Sequence, residues 1–489
     1  MNDKFFKTFK NLFVTKGLIA VKIKNSGQQC FWSCFFVSLK NQNRMSFSKY
    51  FLLFLFTGIV LPSHAQPTAR DKEVQAFVEQ SYGKLFSLYQ TLHAAPELSF
   101  QEKNTSATMA AQLKAAGFAV TENVGGYGVV GVLKNGAGPT VLVRTDLDGL
   151  PVLETSNLPY ASKATGKADD GKEVPVMHAC GHDMHMTVFT GVAQTLAKFK
   201  KNWSGTVVLI GQPAEERSGG AKAMLKDGLF TKFPQPDYCL ALHNHAAIPA
   251  GQVGYTEGNI MANVDAVEIT VRGLGGHGAM PQNTKDPVVL ASQIVIALQT
   301  IVSRETSPLQ PTVVTVGSIH GGTSYNIIPD EVKLQLTLRS YSDEVRNNTI
   351  ASIKRICKGL AEGAGVPQDR LPIVTVRDQF NPFTYNNPGL TKKLTQSFVR
   401  VLGKENVLDT PPSMVGEDFA FFGRTEAKIP ISLYWLGTVD PKKIAESKQT
   451  GKALPTLHSS NFAPLPDPTI KTGVQTMSAA VMDLLAPKK

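Results

Sequence analysis

Thr140-Val-Leu-Val-Arg144 is a short, continuously apolar run that empties into Thr145-Asp-Leu-Asp148. Two further runs have the same form. Thr206-Val-Val-Leu-Ile210 leads into Gly211-Gln-Pro-Ala-Glu-Glu216, and Tyr238-Cys-Leu-Ala-Leu242 leads into His243-Asn-His245. Runs that are apolar at successive positions predict strands buried on both faces. Around them, residues 72–93, 105–116 and 184–199 have helical periodicity. Apolar strands alternating with helices predict an α/β architecture: a mixed, mostly parallel sheet with helices on both faces.

The middle of the chain reads differently. Residues 266–271 (AVEITV) alternate with period two, 287–302 form a helix with an apolar face, 312–319 and 331–338 (EVKLQLTL) alternate again, and 343–360 form a second helix. The order β-α-β-β-α predicts a ferredoxin-like α+β unit, an antiparallel sheet with helices on one face. At 489 residues the chain exceeds what one core usually organises. The expected organisation is a catalytic domain in two pieces, 66–262 and 376–489, interrupted by an inserted domain at 263–375. Residues 390–402, 431–436 and 468–485 resume the helix and strand pattern.

Charge narrows the function classes. The formal net charge is +11, but residues 1–65 hold nine Lys/Arg and one acidic residue, leaving only +3 for the rest. That is too little for a phosphate-binding footprint, so no nucleic-acid partner is expected. Within those 65 residues Met45-Ser-Phe-Ser-Lys49 supplies a basic start, and 51–61 (FLLFLFTGIVL) is an apolar run. Pro62-Ser-His-Ala65 then ends in a small-x-small pattern. This predicts a signal peptide at 45–65 cleaved after Ala65, with Met45 the true start, and a periplasmic or secreted product. No other segment is expected to approach transmembrane length, so no stable membrane anchor is expected. Beyond the leader, Cys180, Cys239 and Cys357 are odd in number and far apart, which rules out a disulfide framework.

In an open α/β sheet, ligands bind beyond the carboxyl ends of the strands. The three apolar runs end in Asp146 and Asp148, Glu215 and Glu216, and His243 and His245. A fourth cluster, His178-Ala-Cys180-Gly-His182-Asp183-Met-His185, opens a helix. A lone histidine at a strand end is more often structural. Four clusters of thiolate, imidazole and carboxylate at one sheet edge instead predict a site for zinc or its divalent neighbours. Cys239 reads as a core thiol, and Cys357 as part of an amphipathic helix.

The runs Arg144–Pro151 (RTDLDGLP), Met177–His185 (MHACGHDMH) and Gln212–Glu216 (QPAEE) resemble the metal-dependent amidohydrolases of the M20 peptidase family. The similar branch is that of hippurate, N-acyl-amino-acid and auxin-conjugate hydrolases. Gly275–Pro281, Asn326–Pro329, Gly416–Phe419 and Leu457–Phe462 extend the resemblance in order across nearly the whole mature chain. It implies two divalent ions (Zn, Mn, Co or Ni) on Cys180, His182, Glu216, His243 and His458, with Cys180 shared or adjacent to both. It makes Glu215 the general base, and Asp146 an orienting residue or, failing that, a turn carboxylate. His178, Asp183 and His185 become supporting or helix-start residues, and Glu417 and Asp418 line the site or support His458.

The inserted domain becomes a lid that forms a homodimer. His277 becomes an oxyanion donor, often to the partner subunit's site, or else a turn residue. Asn326 and Arg339 become binders of the substrate carboxylate, although Arg339 also reads as a surface strand residue. Gly149, Asn244, Gln282 and Ser460 depart from common family residues and bear on substrate preference. The implied reaction is amide hydrolysis of N-acyl amino acids. The alternatives are a dipeptidase or carboxypeptidase and, from another class, a catalytically silent peptide-binding protein.

Overall fold

Alternate residues of the predicted strands enter different hydrophobic clusters. Val141 and Val143 pack on one side of the main sheet and Leu142 on the other; Val207 and Leu209 oppose Val208 and Ile210 in the same way. A strand with both faces covered has this pattern. The computed structural model describes residues 66–486. The leader, Met45 and the cleavage site at Ala65 lie outside these residues.

The main sheet has eight strands, in the spatial order Ala119–Glu122, Val129–Asn135, Gly205–Gln212, Thr140–Asp146, Tyr238–Pro249, Ile431–Val439, Val253–Tyr255 and Val407–Asp409. The four central strands, from Gly205–Gln212 to Ile431–Val439, run parallel. Antiparallel pairs occur towards both edges. Helices Ala69–Ala94, Lys103–Ala115, His182–Lys198, Pro388–Leu402 and Pro466–Leu484 supply one cluster. Met224, Leu229, Phe419 and Phe422 cover the opposite face.

A second sheet is wholly antiparallel, in the order Thr312–His320, Glu331–Ser340, Asp265–Arg272, Ile373–Val376. The inward positions Val267, Ile269, Val271, Leu334 and Leu336 join a cluster with Leu290, Ile294 and Leu298 of helix Pro287–Thr300 and Ile353 and Cys357 of helix Asp343–Gly363. One expectation needs correction. Pro287–Glu305 is 19 residues long and apolar enough to cross a membrane by composition, so a second segment does reach that length. Its Leu290, Ala291, Ile294, Leu298 and Ile301 are buried against the second sheet.

Candidate metal centre and active site

The strand ends deliver the site. Asp146 closes its strand, and helix His182–Lys198 starts on the loop that carries Cys180. Gly181, between the two, has φ 79°, and a Cβ there would collide with the Asn244 amide. Only glycine suits such a position. The third strand runs on to Pro249, so His243 and His245 lie within it rather than beyond it, and His243 sits opposite Trp435. His458 comes last in sequence, in left-handed backbone at φ 64°, its N–H donated to the Ala179 carbonyl at 2.9 Å.

These loops bring the five predicted ligands together. Ligand atoms of Cys180, His182 and His243 lie within 4.8 Å of one another, and so do those of Cys180, Glu216 and His458. Cys180 is common to both trios. Its Sγ is 3.4 Å from His243 Nε2, and Glu216 Oε1 is 3.5 Å from His458 Nε2 and 3.9 Å from His182 Nε2. The imidazoles are aimed from behind: His182 Nδ1 donates to the Asp148 carbonyl at 2.9 Å and His243 Nδ1 to that of Asn244 at 2.8 Å. Each therefore turns Nε2 inward, the orientation that a metal-binding histidine needs. His182 Nε2 and Glu216 Oε1 are buried without hydrogen-bond partners. Such atoms are costly unless something pairs with them, and soft thiolate, imidazole and carboxylate donors fit a divalent cation.

The charges point the same way. Burial pushes Glu216 up to about 8. It pushes Glu215 well above the usual carboxylate range, helped by Glu417 and Glu216. It also raises the Cys180 thiol, with Glu216 adding to the effect. Burial opposes a charged His182, but Asp146, Asp148 and Glu216 outweigh it and lift the ring to about 10. A divalent cation among these groups would displace those protons and offset the crowding of Glu215, Glu216 and Glu417. His243 is pushed well below its ordinary value by burial and then by His185, which keeps its ring neutral.

Asp146 steadies the cluster. Its Oδ1 accepts from His185 Nδ1 at 2.8 Å and its Oδ2 from Arg144 Nη1 at 2.7 Å. His185 Nε2 accepts the Asn244 N–H at 2.9 Å, so both ring nitrogens are engaged and His185 is a support rather than a ligand. Arg144 also donates to Glu417 Oε1 at 2.7 Å and to Asp418 Oδ1 at 3.1 Å. Glu417 and Asp418 therefore pair with Arg144 and group with Glu215, not with His458.

The sequence reading assigned no role to Arg144, nor to the segment from Glu97 to Glu102. Ser99 Oγ donates to Asp148 at 2.6 Å, and Glu102 accepts the N–H of Ala214, one residue before Glu215, at 2.7 Å. No pattern in the sequence marks Ser99 and Glu102; their burial appears only in the fold. His93 was missed as well: it bridges Asp183 at 2.6 Å and Glu154 at 3.0 Å.

His277 and Asn326 meet on a separate small hairpin. His277 pairs with Ile327 across Gly276–His277 and Ile327–Ile328, and Gly278 N–H donates to the Asn326 carbonyl at 2.8 Å. Both residues are exposed. Arg339 is half-buried on Glu331–Ser340, opposite Val313. His277 is not among the groups gathered around Cys180.

Side chains of metal-ligand type at the carboxyl edge of a mostly parallel sheet, with a further buried glutamate beside them, are the arrangement that metal-assisted hydrolases use. The chain belongs to peptidase family M20/M25/M40, whose model matches residues 142–459. It is similar to the hippurate hydrolase of Campylobacter jejuni, at 38% identity over 342 residues covering 70% of this chain and 85% of the relative. It is also similar to an N-acetylcysteine deacetylase of Bacillus subtilis, at 34% identity covering 73% and 88%. Among solved structures, a methicillin-resistant Staphylococcus aureus protein assigned as an aminohydrolase superposes with TM-score 0.74 at 30% identity, covering 85% of this chain and 100% of that one. A Bacillus subtilis dinuclear metal-binding peptidase of the M20 family gives 0.67 at 27%, covering 83% and 99%.

Proposed function

We propose that this hydrolase cleaves the amide bond of N-acyl amino acids, with two divalent cations held by Cys180, His182, Glu216, His243 and His458. The observation that carries the reading is the pair of ligand trios sharing Cys180, with Glu215 buried alongside. When bound, such ions polarise the carbonyl and acidify water. Glu215 takes a proton from the attacking water and returns it to the departing amine nitrogen. The C–O bond forms first and places charge on the carbonyl oxygen; the C–N bond then breaks as the nitrogen takes the proton, giving a carboxylic acid and a free amino acid. Glu215 lies with His182 and Glu216, where its carboxylate can reach that water. Arg144 and Asp146 hold the surrounding carboxylates and His185 in place.

The small hairpin would bring His277 to the developing oxyanion, and Asn326 and Arg339 would take the substrate's free carboxylate, for which a guanidinium fork is suited. Residues 263–375 would act as lid and homodimer interface. Support for the dimer comes from the exposed Val289 and Ile296 on helix Pro287–Thr300 and the open edge of Thr312–His320. The leader would direct export, with cleavage after Ala65. Cleavage of short peptides by the same site is the second reading, favoured by similarity to a thermostable carboxypeptidase of Saccharolobus solfataricus at 37% identity.

Glu215→Gln tests the assignment. Metal content by mass spectrometry should be retained, while kcat on N-acetyl or N-benzoyl amino acids falls by on the order of 10²–10⁴. Near-normal turnover at full metal content would remove Glu215 from its role. A wild-type preference for dipeptides would favour the second reading.

A further inference from the structure

We propose that Glu102 is a positioning residue for the reaction: one of its carboxylate oxygens grips the backbone of the turn that carries Glu215 and so fixes where the base points. The proposal rests on the reading of Glu215 as the base. Glu102 stands at the N-cap of helix Lys103–Ala115, yet its side chain caps none of that helix's N–H groups. Asp, Asn, Ser and Thr are the residues that cap a helix well, so the helix does not account for a glutamate here. The side chain serves other N–H groups. Its Oε1 accepts that of Phe100 at 2.9 Å and that of Ala214 at 2.7 Å, and Glu102 is wholly buried with Oε2 left unpartnered. Burial, then the nearby Asp148, pushes the carboxyl up to about 8. A carboxyl kept in so unfavourable a setting needs a reason outside its own helix.

The turn that Glu102 holds is strained. Ala214 and Ser218, on either side of Glu215 and Glu216, have left-handed backbone at φ 51° and 53°, and so does Phe100 at 65°. Residues with a Cβ avoid that region and stay in it only where their surroundings leave no alternative. Inside the turn the Ala214 carbonyl accepts the N–H groups of Gly219 and Gly220 at 3.2 Å, and the Glu215 carbonyl accepts that of Ser218 at 2.8 Å. From outside, Glu102 takes the Ala214 N–H, and the Phe100 ring lies against the far end, where a Cβ on Gly219 would come within 2.7 Å of it. The Glu216 N–H is held by Asp148 at 3.0 Å, so the metal-ligand glutamate has an anchor of its own. The outside tie nearest Glu215 is the one that Glu102 makes to the residue before it. Loss of Glu102 should therefore displace the base more than the ligand.

In zinc-loaded protein, Glu102→Ala should lower kcat by roughly 10–100-fold, the usual effect of losing a residue that aims another, with KM and zinc content close to wild type. Glu102→Gln keeps a carbonyl oxygen for both N–H groups and should recover most of that loss. Glu102→Asp keeps the charge but draws the acceptor back by one methylene. It should lose kcat to a smaller degree, and it serves if the alanine variant does not fold. In the Glu215→Gln background Glu102→Ala should have little further effect, because residues that act as a unit are not additive. An unchanged kcat, an equal fractional loss in that background, or a loss that follows zinc content overturns the proposal. Amide hydrogen exchange across residues 213–219, read by mass spectrometry, should quicken in the alanine or aspartate variant, and no change there also overturns it. Near-normal turnover of Glu215→Gln at full metal content overturns the base reading instead, and the exchange still decides whether Glu102 holds the turn.

Discussion

The Arg144 guanidinium has no exposed side-chain surface and faces Asp146, Glu417 and Asp418, which have none either. Burial alone would strip charge from all four groups. Their fork-like hydrogen bonds make the arrangement tolerable, and removing Arg144 would leave Glu417 and Asp418 without their cation and Asp146 with only His182 and His185. Arg144→Met should therefore cost about 3–5 kcal/mol in denaturant unfolding. Arg144→Lys should recover only part of that, because an ammonium cannot reproduce the planar fork. A loss below 1 kcal/mol for Arg144→Met would show that the carboxylates simply take up protons. The strand-end clusters around Asp146, Glu215, Glu216 and His243 were legible because imidazole and carboxylate stand where apolar runs stop, whereas the choice of the five candidate ligands, His458 above all, came from the family resemblance. Arg144 was not legible, since it closes an apolar run and its partners Glu417 and Asp418 are far away in sequence. His243 was identified as a ligand but misplaced: a strand that continues past its apolar segment gives no local signal of where it ends.

Among the elements, the first helix shows how the helical layer is joined. Thr68 and Asp71 form a reciprocal cap on Ala69–Ala94, with Asp71 accepting the Thr68 N–H at 2.9 Å. Arg400 Nε, from helix Pro388–Leu402, donates to the same carboxylate at 2.8 Å, and Arg70 reaches Asp483 of the last helix at 2.7 Å. Burial works to raise Asp71, but Arg400 and Thr68 prevail and lower it from 3.8 to about 2. A depressed carboxylate stabilises the fold above its unfolded pKa and loses that contribution as pH falls through its folded one. Asp71→Asn should therefore cost about 2 kcal/mol near neutrality. In urea unfolding at a series of pH values, that gap should hold above about pH 5 and close towards pH 2. A gap that does not vary with pH would place the loss in capping geometry rather than charge. The parallel centre of the main sheet was legible because both faces of those strands are apolar. Ala119–Glu122 and Val407–Asp409 were not: they are short edge strands, and their position depends on pairing with neighbours rather than on any pattern of their own.

At the scale of the molecule, catalysis would join two sheets that are built from different stretches of chain. His277 sits on a hairpin separate from the Cys180 cluster. If the partner subunit completes each site, mixing His277→Ala with Glu215→Gln chains should restore activity after subunit exchange, because one composite site regains both groups. Confirmed exchange without recovery would confine His277 to its own chain. The sheet order has a further consequence. Ile431–Val439 is seated between Tyr238–Pro249 and Val253–Tyr255, two strands that are almost adjacent along the chain. On the ribosome, at roughly 5–20 residues per second, the nascent chain passes about 10–40 s between finishing the second element and finishing the first. During that interval a long strand edge has no neighbour on one side, and His458 has not been made. The sheet and the ligand cluster are thus completed together by the last part of the chain, and a prematurely terminated product would be a client for chaperones and proteases rather than a partly active enzyme.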